Sequence, residues 1–305
     1  MTIRIIYGHN FSPNTLASFI ASIDQFQTEI NLVNQNLINN HSQLTQKHAN
    51  EANSIFYWDL LAEIAKRDQK ISDAIKSDIK DLQNISTSHI NSNSSRTSQN
   101  EELKIANQLV ANINTNMNSI VNITKEQIRV PDSNVLDQIT IFLSNLFTDQ
   151  NSEDKKSFQP MRFVELIDEL LRNYGDAYDV DFDMTDMSNM GRMMNNNSSR
   201  DLNNDFDFSH SMHTPSAMMS MHPNASPLVS VANYQSAKGL TEKLIDIFDK
   251  DLKPLIPNNY NTNIENSLRE LLYSIENKFS PIDIMMIVHT KIHPNLMEVF
   301  GLQLI

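Results

Sequence analysis

Side chains able to do chemistry concentrate between His210 and His222. His210, Met212, His213, Met218, Met219, Met221 and His222 stand close together there. Thioether sulfur with imidazole nitrogen is the donor set that soft ions such as cuprous copper take. A flexible chain can wrap such an ion, so His210, Met212, His213, Met218, Met221 and His222 are the candidate metal ligands of a soft-metal-binding protein. The competing reading is compositional, because methionine recurs at Met184, Met187, Met190, Met193 and Met194 with no histidine beside it. In the same stretch, Thr214-Pro215 and Ser226-Pro227 make Thr214 and Ser226 candidates for proline-directed phosphorylation. Ser12-Pro13 and Ser280-Pro281 read instead as helix starts, since proline suits the first helical position.

Two other patterns approach known sites and miss. His289 and His293 share one face of a helix, as two metal ligands would, but Thr-Lys-Ile lies between them where a metalloprotease carries its glutamate, and no third ligand is in view. Asp179, Asp181, Asp183 and Asp186 begin like a calcium loop. Met184 then stands at the glycine position and Met190 at that of the bidentate glutamate. No glycine-rich phosphate loop, nucleophile elbow or kinase motif occurs. The expectation is a non-enzyme with no catalytic residues and no cofactor.

Composition narrows the class. Of 305 residues only 5 are glycine and 10 proline, too few glycines for the tight turns of an α/β fold or a hairpin-rich β protein. The net charge is −13, from 37 acidic and 24 basic residues. Phosphate neutralisation drives nonspecific nucleic-acid affinity, so no direct nucleic-acid binding is expected, and attraction to anionic membrane surfaces is disfavoured likewise. With no cysteine, disulfides and thiol chemistry are excluded. The sequence shows no signal peptide and no run of about 18 apolar residues, so an intracellular soluble protein is expected, cytoplasmic or virion-associated.

The elements that would position these residues read as helices. Residues 1–13 form a tail with one possible short strand. From residue 14, Leu16, Ile23, Ile30, Leu37 and Leu44 recur every seven residues, with Phe19, Phe26 and Val33 three positions after their partners. Two interleaved rows at this spacing define a coiled-coil seam. The second row fails at Asn40 and Lys47. A shifted pattern follows from Ile55 to Ile85, with Asp68 and Asp78 at apolar positions and the aromatics Phe56, Tyr57 and Trp58 at its start, better read as core than as a docking site. Ser98 and Glu101 form a capping-box pattern ahead of a helix carrying Leu103 to Ile120. Residues 14–128 are therefore a long-helix bundle or a coiled coil, whose first two helices are either a hairpin or one rod of roughly 100 Å. Short helices fill 133–175, the second starting at Met161 after a charged turn (Asp149 to Lys156), with Gly175 as a C-cap. Residues 176–232, acidic and then Met/Asn-rich, hold too few apolar side chains to offset the entropy of ordering and are expected to be a disordered linker. Short helices fill 233–305, as a small domain or packed back on 133–175.

The expected fold is all-α: an N-terminal long-helix bundle or coiled coil, a disordered acidic insertion and a small C-terminal helical domain. The expected role is that of a structural assembly protein, a scaffold. It would self-associate through Leu16, Phe19, Ile23, Phe26, Ile30, Val33, Leu37 and Leu44 and bind another protein through its C-terminal helices. The competing expectation is an acidic adaptor of a nucleoprotein or polymerase complex, possible for a viral protein.

Overall fold

The two apolar rows from Leu16 onward do form a helix, α1 (Thr15–Ile38), in a computed structural model that describes residues 15–91, 96–129, 153–186 and 227–302. It ends earlier than the seam predicts. Asn40 turns to φ 57°, its N–H donates to the Leu37 carbonyl (3.1 Å), and the His41 N–H donates to Asn36 (2.8 Å). Asparagine tolerates this left-handed cap because its short polar side chain lessens the steric penalty. Leu44 therefore belongs to a second helix, α2 (Ser42–Ile55), folded back on α1. The polar Asn40 is a stop, not a weak seam position.

α2 runs without a break through a π-helical turn (Phe56–Leu60) into α3 (Leu61–Arg67). Asp68 ends this run: its backbone is extended and its Oδ1 accepts the Ile71 N–H at 3.0 Å. This N-cap satisfies an orphan donor of α4 (Gln69–Asn91). Both possible readings of the first two helices are thus replaced by two sharp corners, at Asn40 and Asp68. α4 packs along α2 and α3, with Gln83 Nε2 donating to Asn50 Oδ1. α5 (Arg96–Arg129) packs on α1 and α4. It starts two residues before Ser98, which lies inside its first turn and is not the N-cap expected of it.

The predicted seam is buried, but by the chain's own helices. Phe19, Ile23, Phe26, Ile30, Val33 and Leu37 share a core with Phe56, Leu60 and Ile64, with Ile75, Ile79 and Leu82, and with Ile113, Met117 and Ile120. Leu16 and Leu44 are half-buried. The seam is thus enclosed by helices of the same chain.

The remaining helices build a second core. α6 (Glu153–Tyr178) begins within the expected charged turn and carries Pro160 inside it. It also passes Gly175, whose expected capping role falls to Asp179: φ is 53°, and the N–H groups of Asp179 and Val180 donate to Asp176 and Gly175. Glycine serves at 175 for space, since a Cβ there would meet Val180 Cγ2 at 3.0 Å and Met184 Sδ at 3.1 Å. The expected disordered linker is ordered at both ends. Ala177, Tyr178, Met184 and Thr185 are buried, and the Ala177 carbonyl accepts from Val229 (2.8 Å) and Ser230 (3.0 Å). The chain thus returns beside the point where it left.

Ser230 caps α7 (Val231–Ile247), which continues through a π turn (Phe248–Leu252) and one 3-10 turn (Lys253–Leu255) to α8 (Asn258–Glu276). Lys278 forms another left-handed stop at φ 55°. Ser280 and Asp283 then make a reciprocal capping box, with Pro281 opening α9 (Pro281–Ile287) as its sequence predicts. A third π turn (Val288–Ile292) leads to α10 (His293–Phe300). Residues 233–305 do not stand apart, because Leu240, Leu244, Leu268 and Leu271 share one buried cluster with Ile167, Leu170, Leu171 and Tyr174 of α6. Among the described residues there is no strand, and no helix is long and apolar enough to cross a membrane.

Candidate functional site

The π turn splits the aromatic triplet. Phe56 and Leu60 point into the N-terminal core, while Tyr57 and Trp58 between them face solvent, Trp58 with 76% of its surface exposed. The extra residue of a π turn breaks the ordinary helical phase, and such turns recur at functional sites. The turn is anchored from below: Phe56 packs on Phe26 (ring centroids 6.1 Å) and meets Tyr57 edge-on at 5.7 Å. Lys76 Nζ of α4 lies 5.7 Å from the Tyr57 ring centre, a cation–π distance. Asp59 is exposed as a residue, yet partial burial of its carboxyl raises its pKa above the ordinary value. The predicted core reading thus holds for Phe56 and fails for Tyr57 and Trp58.

A second feature, invisible in the sequence, lies where α1 meets the C-terminal half. Its joint is polar. Arg162 of α6 donates Nε to Asp24 Oδ2 at 2.5 Å and Nη2 to Asp24 Oδ1 at 2.9 Å, while its Nη1 donates to Asp251 and to Gln159, both at 3.0 Å. Lys243 of α7 also reaches Asp24, at 3.0 Å. Burial opposes the Arg162 charge, but the Asp24 and Asp251 carboxylates outweigh it and hold the pKa above its ordinary value. Farther along, Ser18 donates to Glu165 (3.1 Å) and Gln25 to Glu169 (2.8 Å). Gly239 lets α7 approach α1 closely: a Cβ there would lie 2.8 Å from Thr28 Cγ2. Periodicity could not reveal this joint, because α1 buries its polar stripe as well as its apolar one.

The other sequence candidates are placed as follows. His289 and His293 do share a face, but both are buried against the C-terminal core, and His289 Nε2 donates to the Met184 carbonyl at 3.0 Å. Asp183 Oδ1 accepts from the N–H and hydroxyl of its neighbour Thr185, forming a local turn in place of a calcium loop. Asp179 is a helix stop. The metal candidates His210, Met212, His213, Met218, Met221 and His222, and the phosphorylation candidates Thr214 and Ser226, lie outside the described residues, as do the tail 1–13 and the segment around Leu136 to Phe147. Among the described residues no three His, Asp or Glu side chains group as metal ligands.

No family model, curated protein or solved structure matches this chain. Its class is given by its own fold, all-α: the described residues form two helical halves joined by a buried polar contact, with an exposed aromatic turn at Tyr57 and Trp58.

Proposed function

We propose that the chain is a non-enzymatic assembly protein, a scaffold whose folded body binds another protein through the face around Tyr57 and Trp58. The exposure of its sole tryptophan carries this reading. Tryptophan and tyrosine dominate binding energy at protein interfaces, and an exposed indole held on a core-anchored turn loses little conformational freedom on binding. The apolar rows of α1 are covered within the chain, which supports placing the contact on the outer face.

The charge favours a basic partner, which supports the adaptor reading as second choice. Between Arg172 and Arg192 there is no basic residue, whereas Asp176, Asp179, Asp181, Asp183 and Asp186 are all exposed. The test is affinity purification from the native source with the full chain and with Trp58→Ser. A partner retained by the parent, lost by the variant and able to shift the Trp58 fluorescence when purified supports the proposal. Identical retention by both chains rules out the face. Loss of a partner on raising salt, independent of Trp58, favours the acidic turn instead.

A further inference from the structure

The π turn that carries Trp58 has a counterpart in the other half of the chain. Ile55-Phe56-Tyr57-Trp58-Asp59-Leu60 and Ile247-Phe248-Asp249-Lys250-Asp251-Leu252 share Ile-Phe at their start and Asp-Leu at their end. In each, the π turn runs from the phenylalanine to the leucine, and the isoleucine, phenylalanine and leucine are buried. Each leucine closes its turn with a similar φ, −110° at Leu60 and −94° at Leu252. The two residues ahead of the aspartate are exposed in both, Tyr57 and Trp58 in one, Asp249 and Lys250 in the other. Asp59 and Asp251 therefore hold equivalent places, and the second shows what such a place takes. Asp251 Oδ2 accepts from Arg162 Nη1 at 3.0 Å, a guanidinium brought in by α6.

Asp59 holds this place without the guanidinium. Among the described residues no hydrogen bond or ion pair reaches its carboxylate, not even from Lys76, whose Nζ lies by the Tyr57 ring. Burial alone acts on it, raising its pKa, and a cation would offset that cost. The largely exposed indole of Trp58 is its neighbour in the chain. A guanidinium is planar and weakly hydrated, so it can lie on an aromatic face and pair with a carboxylate at once; an ammonium is a compact, strongly hydrated charge that does this less well. Arginine, with tryptophan and tyrosine, is also the side chain most often found anchoring interfaces.

We infer that the protein engaging Trp58 presents an arginine, whose guanidinium lies on the indole and pairs with Asp59 as Arg162 pairs with Asp251. This rests on the Tyr57–Trp58 face being the binding face, and it names what that face selects: a basic segment anchored by arginine.

The full chain, titrated with a short acetylated arginine-alanine peptide and followed by the fluorescence of its sole tryptophan, tests it. The arginine peptide shifts the Trp58 emission saturably. The same peptide with citrulline, which is neutral and otherwise alike, does not, and the lysine peptide binds more weakly. Asp59→Asn weakens the arginine peptide about tenfold, the worth of a hydrogen bond to a charged group, with helical circular dichroism unchanged. Asp181→Asn removes an equal charge from the exposed acidic turn and leaves the affinity as in the parent. No shift with the arginine peptide, equal binding of the citrulline peptide, or equal weakening by the two substitutions overturns the inference. So does an emission that Asp59→Asn shifts as far without peptide as with it, which puts a group of the same chain on the site. Capture from the native source separates this inference from the reading beneath it. A partner lost with Trp58→Ser but held alike by Asp59→Asn and the parent keeps the face and overturns the arginine; one held alike by all three chains overturns both.

Discussion

A carbonyl oxygen has no proton to give, so the Met184 contact fixes His289 with its hydrogen on Nε2. Burial pushes the His289 pKa below its ordinary 6.5, more strongly than the Met184 bond and the nearby Asp186 and Asp183 pull it up. The consequence has a definite sign. Above pH 6.5 the ring is neutral whether the chain is folded or not, and its contacts are intact. As pH falls below that value the unfolded chain takes up a proton that the folded chain resists, and stability drops until the folded ring titrates too. Glutamine can donate the same bond without titrating. His289→Gln should therefore lose less stability than the parent in urea unfolding as pH falls below 6.5. Equal acid sensitivity in the two chains would show that another group is responsible. The four-residue spacing of His289 and His293 is legible in the sequence. Its inward direction is not, because the partner that claims His289 lies 105 residues away.

Among the elements, helix existence is written in apolar spacing, while helix ends are written in single polar residues that the same spacing misreads. Asn40 and Asp68 look like flaws in a seam because both fall on apolar positions. One is a left-handed stop and the other an N-cap, and each turns the chain back, so a pattern that reads as two long helices folds as three antiparallel runs. The π turn at Phe56–Leu60 is hidden for a related reason: an inserted residue shifts the phase without leaving a polar mark. Gly239 carries a prediction at this scale. In an exposed helix, glycine to alanine stabilises by up to about 1 kcal/mol. Here the new methyl would meet Thr28 Cγ2, and Thr28 is tied in place by its Oγ1 donating to the Asp24 carbonyl at 2.9 Å. Gly239→Ala should destabilise by about 1–3 kcal/mol, as overpacking does. Thr28→Ser removes that methyl and keeps the hydroxyl, so the double variant should recover most of the loss in a thermodynamic cycle. Additive effects would mean that α1 and α7 do not meet at this point.

For the whole molecule, the decisive question is what covers the apolar rows of α1. A two-row seam of this kind predicts helix association, but periodicity cannot say whether the partner is another chain or a later part of the same one. Here three more helical runs arrive from the same chain, and Ile23, Phe26 and Ile30 are wholly enclosed by them. The two situations respond differently to a charge placed in the seam. In an assembly of preformed helices, Ile23→Asp separates the copies and leaves each one helical. In the enclosed bundle the carboxylate has neither water nor a cation to pair with, and the loss of Ile23 packing adds to that cost. The total should exceed about 4 kcal/mol, a large part of what holds an ordinary domain folded. Ile23→Asp should therefore lose much of its helical circular dichroism or its thermal transition at concentrations where the parent is intact. A variant that kept the parent's helicity and melting temperature, and changed only its sedimenting mass, would return the seam to the role of an interface between copies.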